Sequence, residues 1–179
     1  MKTVQLGTIS VIHETWLPYA AACLISYCNN IPEIKSQYTF NEPLYKYKPI
    51  EEYTEKFKNI DVFGLTCYVW NQAYNDQLMS HYKDVNPNGI TMYGGPNVPE
   101  DPKLAEEFAK QHPYIDIFWV GPGEKLVSKF LLNIDAPMST HDGSFGLGWN
   151  NVEVGRKLYQ IGTDEMPTPY LDGVFDSIL

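Results

Sequence analysis

No basic stripe occurs anywhere in this sequence. Its 13 Lys and Arg are outnumbered by 22 Asp and Glu, for a net charge of -9. Nucleic acid and anionic membrane surfaces both require clustered cations, so neither is an expected partner. No apolar run approaches the roughly 20 residues of a membrane-spanning helix. Cysteine is sparse: Cys23, Cys28 and Cys67 form no CxxC and no cluster of ligand spacing. An odd cysteine count and the lack of a leader-like start point to a reducing, cytoplasmic setting. GxGxxG, GxxxxGK[ST] and GxSxG are all missing, which removes the usual dinucleotide, P-loop and serine-hydrolase signatures.

What is present is an alternation of apolar β-branched runs with helical stripes. Residues 2–11 read as a first strand, followed by an Ala-rich helix through Cys28 whose Ala20, Ala21 and Ala22 allow close approach to a sheet. Tyr38-Thr39-Phe40 reads as a second strand. Ile50, Tyr53 and Phe57 form an i, i+3, i+7 stripe. Strands are expected at 61–66, 90–93 and 115–120, with helices at 72–85, after Asp101-Pro102, and along Leu126, Val127, Phe130 and Leu131. Five such units predict an α/β, flavodoxin-like (Rossmann-like) fold: a five-stranded parallel sheet in the order 2-1-3-4-5 with helices on both faces. From residue 134 the helical period stops. Residues 1–133 are therefore expected to form the domain, and 134–179 an irregular extension with a strand pair around 152–159.

In an open parallel sheet, ligands bind at the carboxyl ends of the strands near the switch in strand order. Three of those ends carry unusual residues here. One strand ends in Thr66, Cys67, Tyr68, Val69, Trp70 and Asn71; the next in Gly94, Gly95 and Pro96; the next in Gly121, Pro122, Gly123 and Glu124. The glycines admit a ligand to the backbone, although a tight strand-to-helix turn uses glycine too. The aromatics could be a floor for a broad planar ligand or ordinary core. Four histidines offer little catalytic promise: His81 reads as solvated, His112 as a helix-end cap, and His141 lies beside Asp142 with no nucleophile nearby. His13 follows the first strand.

The ordered set LPYAA (17–21), DVFGLTCYVWN (61–71), YGGPNVP (93–99), HPYIDIFWVGPGE (112–124) and MPTPYLDG (166–173) resembles the N-terminal cobalamin-binding domain of cobalamin-dependent radical S-adenosylmethionine (SAM) enzymes. The resemblance implies a Rossmann-like domain with the corrin across the carboxyl ends of the strands and the nucleotide loop between sheet and helix. Residues 66–71, 94–96 and 121–124 would line the cofactor, with TCYVWN under or beside the lower face of the corrin. The sequence departs from the family pattern in three places. Gly121-Pro122-Gly123-Glu124 stands where the family has Gly-Glu-Gly-Glu, and Pro122 lacks a backbone donor. In the DxHxxG pattern of other cobalamin proteins, Val11 and Trp16 replace Asp and Gly around His13. That makes His13 a weak candidate for an axial cobalt ligand, and the resemblance implies an open or water-occupied lower face. There is no CxxxCxxC, so an iron–sulfur cluster and SAM are expected on a further domain or a partner subunit of a methyltransferase or related enzyme. The competing readings are a cofactor-free interaction module retaining the fold, and a small flavin- or nucleotide-binding Rossmann-like protein.

Overall fold

The computed structural model describes residues 1–12, 16–152, 162 and 166–179. Five parallel strands form most of the sheet: β1 (Lys2–Gly7), β2 (Tyr38–Phe40), β3 (Val62–Thr66), β4 (Ile90–Gly94) and β5 (Ile117–Trp119). Two short antiparallel strands, β6 (Ser144–Gly146) and β7 (Trp149–Asn150), continue it past β5, giving the order β2-β1-β3-β4-β5-β6-β7. The five-strand order read from the sequence is the observed one. The strand count is seven rather than five, because the extension adds β6 and β7. Phe118 and Phe145 anchor that addition, stacked at 4.7 Å across the β5–β6 pair. The strand pair expected at 152–159 falls mostly outside the described residues.

Helices cover both faces. On one lie α1 (Tyr19–Asn29), α2 (Pro32–Gln37) and α6 (Gly123–Leu132), packed on Val4, Leu6, Val62, Met92 and Ile117. On the other lie α3 (Thr54–Phe57), α4 (Gln72–Val85) and α5 (Pro102–Gln111), packed on Phe63, Leu65, Tyr93 and Phe118. The strands are buried from both sides, which is why β3 reads as a continuous apolar run instead of an alternating one. Helix α4 presents Tyr74, Leu78 and Tyr82 to the sheet at helical spacing. Asp101 caps α5 by accepting from the amides of Lys103 and Leu104, with Pro102 in the first turn. The stripe of Ile50, Tyr53 and Phe57 is split between a 3-10 turn at Ile50–Tyr53 and the single turn of α3. Among the described residues no helix is long and apolar enough to cross a membrane.

His81 is not simply solvated: its Nε2 lies 2.8 Å from the Thr54 hydroxyl, bracing α3 against α4. His141 is buried between Trp119 and Phe130, and its Nε2 has no hydrogen-bond partner among the described residues. Burial pushes its pKa down, against the smaller opposing pull of Asp142. The unfolded chain takes up this proton more readily than the folded one, so the contribution of His141 to stability is present above the ordinary imidazole range, about pH 6.5, and is lost as pH falls. Urea midpoints measured above and below that pH should therefore differ less in His141→Phe than in the unaltered chain.

Candidate functional site

The sheet register sets two rows of side chains on the face covered by α1 and α6. Leu6, Gly64, Met92 and Ile117 form one row. Thr66, Gly94 and Trp119 form the next, at the carboxyl ends of the strands. Each row lacks one side chain, at Gly64 and at Gly94. At Gly64 the space is taken up by neighbours: a Cβ there would lie 2.7 Å from the Met92 methyl and 2.8 Å from a Leu6 methyl. At Gly94 it stays open, since among the described residues an added Cβ would meet only the Cβ of Trp119, at 3.6 Å. A cavity of about 620 Å³ occupies this region.

Two helices wall the cavity. Helix α1 contributes Ala20 and Ala21, whose short side chains hold little space, and α6 contributes Glu124 and Val127. Neither helix is capped by its own N-cap side chain, because Pro18 and Pro122 occupy those positions. The Thr8 hydroxyl accepts from the Ala21 amide at 3.3 Å and pairs with the Thr66 hydroxyl at 3.0 Å, tying the start of α1 to β3. First-turn N–H groups of an uncapped helix such as α6 suit carbonyl or phosphate oxygens. Pro122 sits at φ -59, its natural angle, ahead of those N–H groups. Gly121 adopts φ +93, and a Cβ there would meet nothing within 4 Å among the described residues, so its backbone is bare as well.

Of the residues singled out from the sequence, Thr66, Tyr68, Gly94, Gly95, Pro96, Gly121, Pro122, Gly123 and Glu124 come together around this cavity. Four do not. Cys67 faces the opposite side of the sheet, in the core under α4 and α5. Val69 and Trp70 point outward, 76% and 43% exposed, although the Trp70 ring stacks on Tyr68 at 4.4 Å. Asn71 is fully buried and braces the backbone. Its Oδ1 accepts from the Tyr68 amide at 2.9 Å, and its Nδ2 donates to the carbonyls of Ile9 and Thr66, each at 3.0 Å. That leaves its amide without a free donor for a ligand. His13 lies outside the described residues.

Several lining residues were not singled out individually from the sequence. Leu6, Met92 and Trp119 read as core, and their role depends on register. Gly64 could have been flagged, since glycine inside a buried strand often marks a close approach. Met166 reaches the cavity from the C-terminal segment, which is fastened to α1: Asp172 accepts from the Ser26 hydroxyl and from Asn30 Nδ2 at 3.1 Å, and Tyr170 packs on Tyr19.

The three thiols stay protonated at neutral pH. Burial raises the Cys23 pKa, and it pushes those of Cys28 and Cys67 up to about 12. Cys23 therefore lines the cavity as a small apolar group rather than a thiolate ligand. Among the described residues no cluster of His, Cys, Asp and Glu could hold a metal ion.

Fold and cavity together define a Rossmann-like domain with an open cavity at its strand carboxyl ends. No family model matches the chain. It is 30% identical over 165 residues to 2-(S-pantetheinyl)-carbapenam-3-carboxylate methyltransferase of Streptantibioticus cattleyicolor, and 30% identical over 168 residues to cobalamin-dependent radical SAM methyltransferase TokK of Streptomyces tokunonensis. Each match covers 90% of this chain and 24% of the relative. The fold is shared with the cobalamin-dependent S-adenosylmethionine radical enzyme OxsB. In the form with aqua-cobalamin and S-adenosylmethionine bound, the TM-score is 0.67 at 18% identity, over 97% of this chain and 25% of OxsB. The apo form gives 0.64 at 17% identity. The resemblance drawn from the sequence therefore holds: the chain is homologous to cobalamin-dependent radical SAM enzymes and spans about a quarter of their length.

Replacing Asn71 with Leu should cost on the order of 2–4 kcal/mol, because buried backbone groups at the ends of β1 and β3 lose their partners. A urea titration of the variant measures this. An unchanged midpoint would mean that the brace is dispensable.

Proposed function

We propose that this chain is the cobalamin-binding domain of a radical SAM methyltransferase or related enzyme, and that it holds the corrin at the carboxyl edge of the sheet. The observation that carries the reading is the bare backbone at Gly94 and Gly121, opening on one cavity in a chain homologous to cobalamin-dependent enzymes. The donor set fits the group. A corrinoid carries peripheral amides and a nucleotide loop with a phosphate, and the site offers hydroxyls, bare backbone and an uncapped helix start.

The cavity lies within the range of about 300–1,000 Å³ that takes a compact organic group, so it suits the nucleotide loop, with the wider ring across the mouth. Leu6, Met92 and Trp119 would exclude water from the inserted part. Ala20 and Ala21 leave room for it, and Gly94-Gly95 and Gly121 let backbone groups reach it directly. Tyr68, held flat by Trp70, would meet the ring at the edge of the sheet. Glu124 would accept from an amide or hydroxyl donor of the ligand. Once bound, cobalamin supplies a cobalt centre able to carry and transfer a methyl group. Residues 1–133 would then serve as the cofactor-binding domain, and 134–179 as an extension toward a radical SAM domain or subunit. That unit would hold the iron–sulfur cluster and SAM, since Cys23, Cys28 and Cys67 are separately buried, protonated thiols.

Hydroxocobalamin titrated into the chain should bind one-to-one, with a shifted visible band. Gly94→Val fills the open space without touching packed core, so it should weaken binding at least about tenfold, or about 1.4 kcal/mol, with an unchanged circular dichroism spectrum. Cobalamin at about 100 times its Kd should also stabilise the chain by about 2.7 kcal/mol, read as a rise in melting temperature. No spectral shift and no thermal stabilisation at high micromolar cobalamin would overturn the reading. Tight binding of a flavin instead would favour the small Rossmann-like carrier.

A further inference from the structure

Behind the glycine wall of the cavity, on the far face of the sheet, a chain of polar side chains runs from the end of α5 to the loop after β4. His112, at the C-terminus of α5, is buried, and its Nδ1 lies 2.7 Å from the Phe108 carbonyl. Its Nε2 lies 3.0 Å from Nε2 of Gln72 and 3.4 Å from Oδ2 of Asp76. Gln72 Oε1 accepts from Nδ2 of Asn97. Asn97 follows Gly94-Gly95-Pro96 directly, and its own amide donates to the Cys67 carbonyl at 3.1 Å. Next to that bond, the Cys67 amide donates to the Gly94 carbonyl at 2.6 Å. The loop that walls the cavity is thus latched to the end of β3, with Asn97 at the hinge of the latch.

Nε2 of His112 faces two incompatible demands. An amide nitrogen only donates, so the Gln72 contact requires an unprotonated Nε2. A carboxylate only accepts, so the Asp76 contact requires a protonated one. When Nε2 carries a proton it turns to Asp76, and Gln72 must present its oxygen or swing away. Turning Gln72 end for end brings its nitrogen against the Asn97 nitrogen, and Asn97 must then turn as well. We propose that Asn97 is a positioning residue for the Gly94-Gly95-Pro96 wall, and that His112, acting through Gln72, sets which end of the Asn97 amide faces the relay.

The groups facing His112 are Asp76 from α4, Tyr93 from β4 and Tyr114 from the turn before β5, with Cys67 beyond them. Tyr93 donates to Asp76 Oδ1 at 2.8 Å, and its own pKa is driven upward by burial and by Asp76, so it stays a neutral donor. Tyr114 and Cys67 are likewise held neutral by burial. Among the described residues, Asp76 then supplies the one carboxyl group against the ring. Burial works against the charge on His112, but Asp76 and the Phe108 carbonyl outweigh it and hold its pKa above the ordinary imidazole value. The charged form is accordingly favoured below that raised pKa and is given up as pH rises through it.

The test uses the chain without any ligand, so its outcome does not depend on what fills the cavity. Proton–nitrogen NMR spectra recorded from about pH 5 to 9 follow the His112 ring, the Asn97 side-chain amide and the Gly95 amide together. The relay predicts one shared midpoint for all three. In Gln72→Leu, which keeps the His112–Asp76 contact, His112 should still titrate while the Asn97 shift at that midpoint is lost. An Asn97 amide that does not move as His112 titrates, or one that still moves in Gln72→Leu, would overturn the proposal.

Discussion

The site depends on a set of backbone hydrogen bonds that turn the chain away from the sheet without filling the space beside it. Asn71 joins the ends of β1 and β3 to the start of α4, while the Cys67 amide joins β3 to β4 through Gly94. Each partner is main chain or an amide buried below the cavity. Because these bonds are made there, the strand ends facing α1 need no bulky side chain of their own. Gly94 and Gly121 can be bare, and Ala20 and Ala21 can be small.

This arrangement separates two tasks that share one stretch of sequence. In TCYVWN, Thr66 and Tyr68 face the cavity, Cys67 and Asn71 hold the scaffold, and Val69 and Trp70 lie on the outside, with Trp70 flattening Tyr68. The run looks unusual for a strand end because it serves the core, the turn and the site within six residues. Period-2 alternation explains the split between Thr66 and Cys67. The tight turn that follows, closed by the Asn71 and Gln72 amides on the Tyr68 carbonyl, explains the rest.

Much of the fold was legible because parallel strands buried on both faces announce themselves as apolar runs, and because Asp101-Pro102 and the apolar stripe of α6 follow local rules. Strands β6 and β7 were not legible. They have three and two residues, and what holds them is Phe145 lying on Phe118, a contact distant in sequence. The site was legible where glycine and proline punctuate the strand ends. It was hidden where membership depends on register: Leu6, Gly64 and Met92 become one row only when β1, β3 and β4 are aligned. Asn71 misled for a physical reason, since an amide beside aromatics looks the same in sequence whether it meets a ligand or its own backbone.

In the function proposed above, one cavity between the sheet and helices α1 and α6 takes the cofactor. Hydrogen–deuterium exchange of the chain with and without hydroxocobalamin tests it most directly. Added protection is expected at residues 64–68, 92–96 and 119–125 and along the start of α1, with α4 and α5 little changed. Protection confined to the α4 and α5 face, or to the segment at 166–179 alone, would contradict it.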